Sequence, residues 1–354
     1  MKILIVPDSF KGTLTSKEVC DAIEEGLRET DGNIEITKLP FADGGEGFSD
    51  CFANFCKGET LYANCGDIYN RIRKCRYFAF GDTAVIECAE ASGIQSRKDI
   101  MNATSYGTGE LIRNAVAKGF SNIILGLGGT GCCDGGMGTL AALGAEFRNA
   151  DGDITEYPKG DDLSGIYGVS FRNLVKGINF TFACDVENEY CGKNGAAYVF
   201  APQKGASKEQ VKELDEGLKM LNAFLPVDVS RIKGAGAAGG ICGALYSVYG
   251  GEIKSGFSVL AEYSGLEEKI RAADLVITGE GKTDKQTLMG KLPCRISGLC
   301  RENAVPCVLI SGSIENVQVC EKQLSLVDEN TSLEEALANP YKTLVNKSKK
   351  ILLL

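Results

Sequence analysis

The sequence predicts an α/β protein of two domains, in which both ends of the chain build one parallel sheet and the middle forms an inserted α/β domain with a mixed sheet. Three observations support this prediction. Strand and helix patterns alternate at both ends of the chain, short alternating segments interrupt them, and 354 residues exceed what one typical core holds. We expect the first domain to comprise residues 1–62 and 258–354 and the second residues 63–257.

The first elements show the alternation clearly. KILIVPDS indicates a buried strand, and a helix is predicted from Thr15, because Thr15 and Glu18 have the spacing of a capping box. The apolar residues that follow recur at helical intervals. IEITKLPFA indicates the next strand, and Asp43 and Glu46 have the spacing that caps a second helix.

The middle of the chain has a different pattern. ETLYANC, RKCRYFAFGD and TAVIECA are short alternating segments joined by turns, which favours antiparallel pairing. A helix over YGTGELIRNAVAKG then leads to the strand NIILGL, and INFTFACDV indicates another strand. A helix is predicted after Ser207, which forms a capping box with Gln210, and AAGGICGALYSVYG indicates a glycine-rich helix that packs closely on a neighbour.

The alternation of helix and strand patterns resumes near Leu260. The segment LEEKIRAADLVITGEG predicts a helix followed by a strand, and RISGLCREN with PCVLISG repeats that order. The last segments, QLSLVDEN and SLEEALANPYKTLVNKSKKIL, predict a further strand and helices. The two ends of the chain therefore belong to one sheet, which leaves a cleft beside the inserted domain where ligands tend to bind.

The charge and the residue types exclude several function classes. The formal net charge is −9, which argues against binding to nucleic acid or to an anionic membrane, because such binding needs a basic face. The chain has no histidine, so a Ser-His-Asp triad, a Cys-His pair and a histidine general base are excluded. Any proton transfer must therefore use Asp, Glu, Lys, Tyr or Cys.

The 15 cysteines indicate buried thiols rather than disulfides or a metal site, because their number is odd and no pair has C-x-x-C spacing. No apolar run is long enough to cross a bilayer, and the first residues indicate a strand rather than a signal peptide. We therefore expect a cytoplasmic protein without a structural metal.

A glycine-rich stretch, IILGLGGTGCCDGGMGTLAALG, occupies residues 123–144. Gly126, Gly128 and Gly131 fit the G-x-G-x-x-G pattern of dinucleotide-binding folds. That interpretation is disfavoured, because the pattern lies far from the first strand and no acidic residue ends a strand about 20 residues later. The stretch could also cradle a phosphate group at a helix start, or be a tight turn with Asp134 as the helix N-cap.

Further polar clusters follow predicted strands, which is where open α/β sheets bind ligands. The clusters are Asp8-Ser9-x-Lys11, Asp43-Gly-Gly-Glu46, Asp185 and Thr278-Gly-Glu-Gly-Lys282-x-Asp284. Residues 280–283 mimic the end of a P-loop, but Val276 stands where that motif needs glycine. Together these groups suit phosphoryl transfer, which needs positioning and charge neutralisation more than a strong base.

A series of segments spans nearly the whole chain. They are VPDSFKGTLTS, ADGGEGF, IECAEASG, TSYGTGELI, GGTGCCDGG, ACDVEN, APQKGAS, GAGAAGG and TGEGKTDKQTLMGK, in that order. This collinear series resembles the signatures of the bacterial type I glycerate kinases, and it is far more specific than any glycine motif alone.

The resemblance implies ATP-dependent phosphorylation of D-glycerate with Mg²⁺. The expected site is the 2-hydroxyl, which gives 2-phosphoglycerate, with 3-phosphoglycerate as the other product to consider. It also implies a discontinuous flavodoxin-like (Rossmann-like) three-layer domain, an inserted α/β domain and an active site in the interdomain cleft. The expected partner is this small-molecule substrate, with no nucleic acid or membrane, and the protein is expected to be a monomer or a homodimer.

The resemblance also carries roles to individual residues. Asp185 deprotonates or orients the acceptor hydroxyl, and Lys204 neutralises charge on the transferred group. The predicted catalytic residues are Asp8, Lys11, Asp185 and Lys204, and the predicted substrate-binding residues are Ser9, Lys11, Lys282 and Asp284. The predicted ATP-binding residues are Gly128, Gly129, Thr130, Asp134, Gly135 and Gly136, and the predicted magnesium ligands are Asp43 and Asp284.

The chain departs from the family pattern in several places. Thr130-Gly-Cys-Cys133 stands where a Ser-Ala-Thr-Asn-like run is usual, and Lys282 stands where arginine is usual. Lysine keeps the charge but loses the planar fork that grips a carboxylate or phosphate at two points. Two alternative functions follow: a non-catalytic relative that senses a metabolite, or a kinase of another small hydroxy acid.

Overall fold

A computed structural model of the chain describes residues 1–41 and 47–353. The chain divides into two compact units: the first unit comprises residues 1–43, 54–56 and 257–354, and the second unit comprises residues 44–53 and 57–256. Both units contain helices and strands, which confirms the predicted α/β class. The predicted boundary at residue 62 lies inside a strand of the second unit, Glu59–Gly66.

The described residues form the following regular elements. The strands are β1 (Lys2–Pro7), β2 (Glu35–Lys38), β3 (Glu59–Gly66), β4 (Ile72–Phe80), β5 (Thr83–Glu87), β6 (Asn122–Gly126), β7 (Glu146–Arg148), β8 (Gly168–Ser170), β9 (Asn179–Ala183), β10 (Glu252–Lys254), β11 (Leu275–Thr283), β12 (Cys307–Ile314) and β13 (Lys322–Ser325). The α-helices are α1 (Ser16–Thr30), α2 (Phe48–Ala53), α3 (Cys88–Ser92), α4 (Tyr106–Ala117), α5 (Met137–Ala142), α6 (Ala196–Phe200), α7 (Lys208–Phe224), α8 (Ile241–Tyr249), α9 (Gly256–Ser264), α10 (Leu266–Arg271), α11 (Leu292–Glu302), α12 (Leu333–Ala338) and α13 (Pro340–Ser348).

Within the described residues, the first unit contains a five-stranded sheet in the order β13-β12-β11-β1-β2. Every neighbouring pair is parallel. Counted along the chain from the β2 edge, the order is 2-1-3-4-5, which is the flavodoxin-like arrangement. The strand order reverses between β1 and β11, so their carboxyl ends flank the position where such sheets bind ligands.

Helices cover both faces of this sheet. In β1 the residues from Ile3 to Pro7 are all buried, as expected for a parallel strand covered on both sides. Helices α1 and α13 pack together on one face, where Val19, Ile23 and Leu27 join the core around Ile3. Helix α11 packs against β1, β11 and β12.

The start of α1 matches its prediction. The backbone N–H of Glu18 donates to Thr15 Oγ1 (3.2 Å), and the N–H of Thr15 donates to Glu18 Oε2 (2.8 Å). Ser207 and Gln210 form the same reciprocal pair at the start of α7. The capping pair predicted at Asp43 and Glu46 lies outside the described residues.

The second unit contains a mixed sheet in the order β10-β9-β6-β5-β4-β3. Strands β3, β4 and β5 pair antiparallel, as predicted, whereas β5, β6, β9 and β10 are parallel. Glu87, Gly126, Ala183 and Lys254 stand in one row across the four parallel strands. The segments that follow these residues therefore emerge from the same edge of the sheet.

The glycine-rich helix near residue 240 is shorter than predicted. Ala238 and Gly239 have φ values of 54° and 69°, and Gly240 has a φ of 98°, so α8 begins only at Ile241. The close packing is present, because a Cβ on Gly239 would lie 2.2 Å from the carbonyl oxygen of Cys132. Among the described residues, no helix is long and apolar enough to span a membrane.

Candidate active site

A cavity of about 520 Å³ lies in the first unit, at the carboxyl ends of β1, β11 and β12. Four residues of the sequence prediction line this cavity: Asp8, Ser9, Lys11 and Lys282. The fold therefore gathers two predicted clusters, which come from opposite ends of the sequence, at one sheet edge.

The loop after β1 is held against β11. Asp8 is buried; its N–H donates to the carbonyl oxygen of Gly279 (2.8 Å), and its Oδ1 accepts from the N–H of Ser9 (2.7 Å). A Cβ on Gly281 would lie 3.3 Å from the nitrogen of Lys11, so glycine lets the loop lie close to the strand. Lys11 itself is exposed.

Glu280 lines the cavity and belongs to the polar cluster predicted at residues 278–284, but the sequence prediction gave it no role. It is only 5% exposed, and its Oε1 accepts from Thr287 Oγ1 (2.5 Å) and Thr283 Oγ1 (3.0 Å). Burial raises the pKa of the Glu280 carboxyl, and the two hydroxyl hydrogen bonds oppose that rise. A buried carboxylate in a cavity is a functional candidate, and its signal was an acid inside an otherwise buried strand.

Lys282 lies near the end of β11 and Asp284 follows that strand, and the two side chains have different surroundings. Lys282 is exposed and forms an ion pair with Glu315 (Nζ to Oε1, 2.8 Å), which holds the pKa of the lysine above its usual value. Asp284 Oδ1 accepts from the N–H of Gln286 (2.8 Å), so this carboxylate organises the turn that begins after β11. Lys282 lines the cavity, whereas Asp284 is not among the described residues that line it.

In the second unit, the glycine loop after β6 lies at the carboxyl edge of the parallel strands. Gly128 and Gly129 are exposed, and Gly129 has a φ of 70°, which favours glycine. Within the described part of the chain, the N–H groups of Gly128, Gly129 and Thr130 donate no hydrogen bond. Such a run of free backbone amides can bind an anion.

Lys204 lies beside this loop. It ends a short 3₁₀ turn, Pro202–Lys204, and is only 5% exposed. Its Nζ donates to the carbonyl oxygen of Cys132 (2.7 Å) and to Thr130 Oγ1 (3.3 Å). Neither acceptor is charged, and no ion pair of Lys204 occurs among the described residues. The fold therefore holds a buried cation next to free amides, as an anion site requires.

Asp134, Gly135 and Gly136 were also predicted to bind ATP, but their polar groups have partners inside the unit. Asp134 is fully buried, and its oxygens accept from the N–H and Oγ of Ser105 and from the N–H groups of Gly136 and Gly138. The N–H of Gly135 donates to the carbonyl oxygen of Gly239. Burial raises the pKa of the Asp134 carboxyl, which these hydrogen bonds oppose. This geometry favours a scaffold role for Asp134, as in the tight-turn interpretation.

Two acids stand near the same edge of the second sheet. Asp185 follows β9, is exposed, and accepts from the N–H of Gly256 (3.1 Å) at its Oδ1. Glu87 ends β5 and was not predicted as a site residue; it is 8% exposed and accepts from the N–H and Oγ of Ser49 (2.8 and 2.6 Å). Burial raises the pKa of the Glu87 carboxyl.

The predicted magnesium ligand Asp43 lies outside the described residues. Across residues 1–41 and 47–353, no three acids or thiols come together as a preformed metal site. All fifteen cysteines are free thiols, and most of them are buried, as the sequence predicts.

Carboxylates, lysines and free amides at the carboxyl ends of parallel strands are typical of α/β proteins that bind small anionic ligands. The model of the glycerate kinase family matches residues 3–354. The chain therefore belongs to the glycerate kinase family, and the predicted enzyme class, a phosphotransferase, is confirmed.

Individual relatives agree with this assignment. The chain is 38% identical to a glycerate kinase of Bacillus cereus, over 97% of this chain and 93% of the relative. It is 36% identical to the glycerate 2-kinase of Escherichia coli, over 99% and 97%. A crystal structure assigned to glycerate kinase 2 from Salmonella typhimurium LT2 is similar with a TM-score of 0.90 and 36% identity, covering 100% of this chain and 97% of that one.

Proposed function

We propose that this protein transfers the γ-phosphoryl group of ATP to the 2-hydroxyl of D-glycerate and so produces 2-phosphoglycerate. The observation that carries the proposal is the pairing of the buried Lys204 with Thr130 beside the free amides of Gly128 and Gly129. Phosphoryl transfer needs such positioned donors and positive charge, and it needs no histidine. The names of the relatives support glycerate as the acceptor.

ATP and Mg²⁺ fit the residues present. The free amides of Gly128, Gly129 and Thr130 suit phosphate oxygens. Mg²⁺ is usually held by one or two carboxylates together with substrate phosphates, so a preformed cage of acids is not needed. We assign Asp284 and Asp43 as its carboxylates. When bound, Mg²⁺ neutralises charge on the phosphate oxygens.

Other residues handle the acceptor. Asp185, exposed at the strand end, accepts the proton of the glycerate hydroxyl or orients that hydroxyl. Lys11 and Ser9 bind the glycerate carboxylate together with Lys282, whose exposed ion pair with Glu315 is weak enough to exchange for substrate. Asp8 positions this loop through its bond to Ser9.

We propose further that the groups of both units serve one reaction, and that the enzyme acts in the cytoplasm. The supporting observation is that the candidate residues of each unit lie at the carboxyl edge of that unit's parallel strands, where α/β sheets bind ligands.

A coupled assay of ADP release tests the proposed function. The full chain with MgATP should release ADP only when D-glycerate is added, and other small hydroxy acids should be poorer acceptors. ADP release that is independent of glycerate, or that is faster with another hydroxy acid, would contradict the proposed substrate.

A further inference from the structure

We infer that the cavity of the first unit binds the nucleoside of ATP, with the adenine base in its apolar end. The inference rests on the proposed function in one respect, namely that a nucleoside triphosphate is the phosphoryl donor. It adds a binding site for the base, which the glycine loop of the second unit does not supply.

The cavity has two chemically distinct ends. Its polar end contains the Asp8–Lys11 loop, Glu280, Lys282 and Lys291. Its apolar end follows β13 and α12, and it consists of Leu326, Val327, Leu333, Ala336, Leu337 and Pro340. An elongated ligand with an apolar body and an anionic tail matches this division, because its body would contact the apolar residues and its tail would contact the lysines.

Two leucines stand at the apolar end without being buried. Leu333 is 58% exposed and Leu337 is 55% exposed, and they lie one turn apart on the same face of α12. Leu326 and Ala336, 2% and 6% exposed, lie deeper in the cavity lining. Large apolar side chains left exposed around a cavity mark a ligand-binding surface, and a flat aromatic base would cover both leucines.

Glycerate does not explain the apolar end. A three-carbon hydroxy acid carries a carboxylate and two hydroxyl groups, so it has no apolar group for six apolar residues to contact. A cavity of about 520 Å³ also falls within the range of about 300–1,000 Å³ that encloses larger organic ligands. Glycerate therefore fits the polar end alone.

The lysines give the direction of the nucleotide. Lys11 is exposed at the polar end, and Lys291 Nζ lies 4.0 Å from Glu280 Oε2. Among the residues that the structure describes, Lys282 forms one ion pair, the exposed pair with Glu315. With the base against Leu333 and Leu337, the ribose and the first phosphate extend towards Lys291, which lines the polar end and has no role in binding glycerate.

Kinetics of a double variant test the site. Leu333→Ala with Leu337→Ala should raise the KM for ATP about tenfold, because the base loses its apolar contacts, while the KM for glycerate and kcat change less than about twofold. Leu353→Ala is the matched control, since Leu353 is 79% exposed in the same unit and does not line the cavity. Equal KM values for ATP in the double variant and the wild type overturn the inference.

Photolabelling locates the base directly and separates this inference from the proposed function. The full chain is irradiated with 8-azidoadenosine triphosphate and Mg²⁺, with and without excess ATP. Label on residues 322–340 that ATP suppresses supports the site, even if no glycerate-dependent ADP release is found. Label confined to the second unit overturns it, even if the chain phosphorylates glycerate normally.

Discussion

Lys204 Nζ lies 3.3 Å from Thr130 Oγ1, and the same nitrogen donates to the carbonyl oxygen of Cys132 at 2.7 Å. The two residues are 74 positions apart in the sequence; Thr130 lies in the loop after β6, and Lys204 ends the 3₁₀ turn that follows α6. The lysine is buried and both acceptors are uncharged, so its positive charge has no carboxylate partner within residues 1–41 and 47–353. In the proposed function, the transferred phosphoryl group supplies a negative charge to this lysine.

Replacement of Lys204 tests this role. Lys204→Met keeps an unbranched side chain but removes the charge, so we expect kcat to fall by about 100-fold or more. Loss of the two hydrogen bonds should also lower the free energy of unfolding by about 1–3 kcal/mol. Steady-state kinetics and a thermal melt measure both effects. Lys208→Met, at an exposed lysine of α7, should change neither, and an active Lys204→Met enzyme would exclude the proposed role.

Replacement of Asp185 provides a second test, in which the effect on catalysis can be distinguished from the effect on stability. Asparagine keeps the oxygen that accepts from the N–H of Gly256 but is not a base. Asp185→Asn should therefore lower kcat by about 10²–10⁴-fold with little change in the melting temperature. The control is Glu187→Gln, at an exposed acid two residues away. Near-normal turnover of Asp185→Asn would remove this residue from the mechanism.

Gly239 is expected to be essential for the loop that holds Lys204. A Cβ there would lie 2.2 Å from the carbonyl oxygen of Cys132, and the φ of 69° is unfavourable for alanine. Gly239→Ala should destabilise the protein by more than about 2 kcal/mol. The backbone at Cys132 must move away from the new Cβ, and the alanine must also adopt a strained conformation. Gly152→Ala, with a φ of 87° and open space around it, isolates the conformational cost of about 1 kcal/mol. Equal melting temperatures for the two variants would contradict this account.

Glu280 predicts a pH dependence of stability. Burial raises its pKa in the folded state above the usual value of 4.5, so folding favours the protonated form. This contribution is fully present below the unfolded pKa and is lost as the pH rises through the folded pKa. Glu280→Gln lacks that loss, so its stability relative to the wild type should increase from pH 4.5 to pH 7. Urea unfolding at both pH values measures the difference, and a constant difference would refute the prediction.

The sequence predicts the elements correctly where the interactions that determine them are local. The capping pair of Thr15 and Glu18 spans four residues, and the apolar face of α1 follows helical spacing. The left-handed residues before α8 were wrongly predicted to be helical. Their conformation depends on the close approach of Gly239 to Cys132. That approach joins segments about a hundred positions apart and has no local signal.

The candidate site divides in the same way. Asp8, Ser9, Lys11 and Lys282 line one cavity, and their positions at predicted strand ends were enough to indicate that they lie together. Asp134 was assigned to ATP because it stands in a glycine loop, but its partners from Ser105 are non-local and use its oxygens within the fold. Glu87 was not predicted, and Glu280 was given no role in its cluster, because the sequence of a buried strand does not reveal the surroundings of an acid within it.

The most direct test of the central claim is a ³¹P NMR time course of the full chain with D-glycerate, ATP and Mg²⁺. The account predicts that the signal of 2-phosphoglycerate grows in step with the loss of the γ-phosphate signal of ATP. Release of inorganic phosphate alone, or an unchanged ATP spectrum in the presence of glycerate, would contradict it.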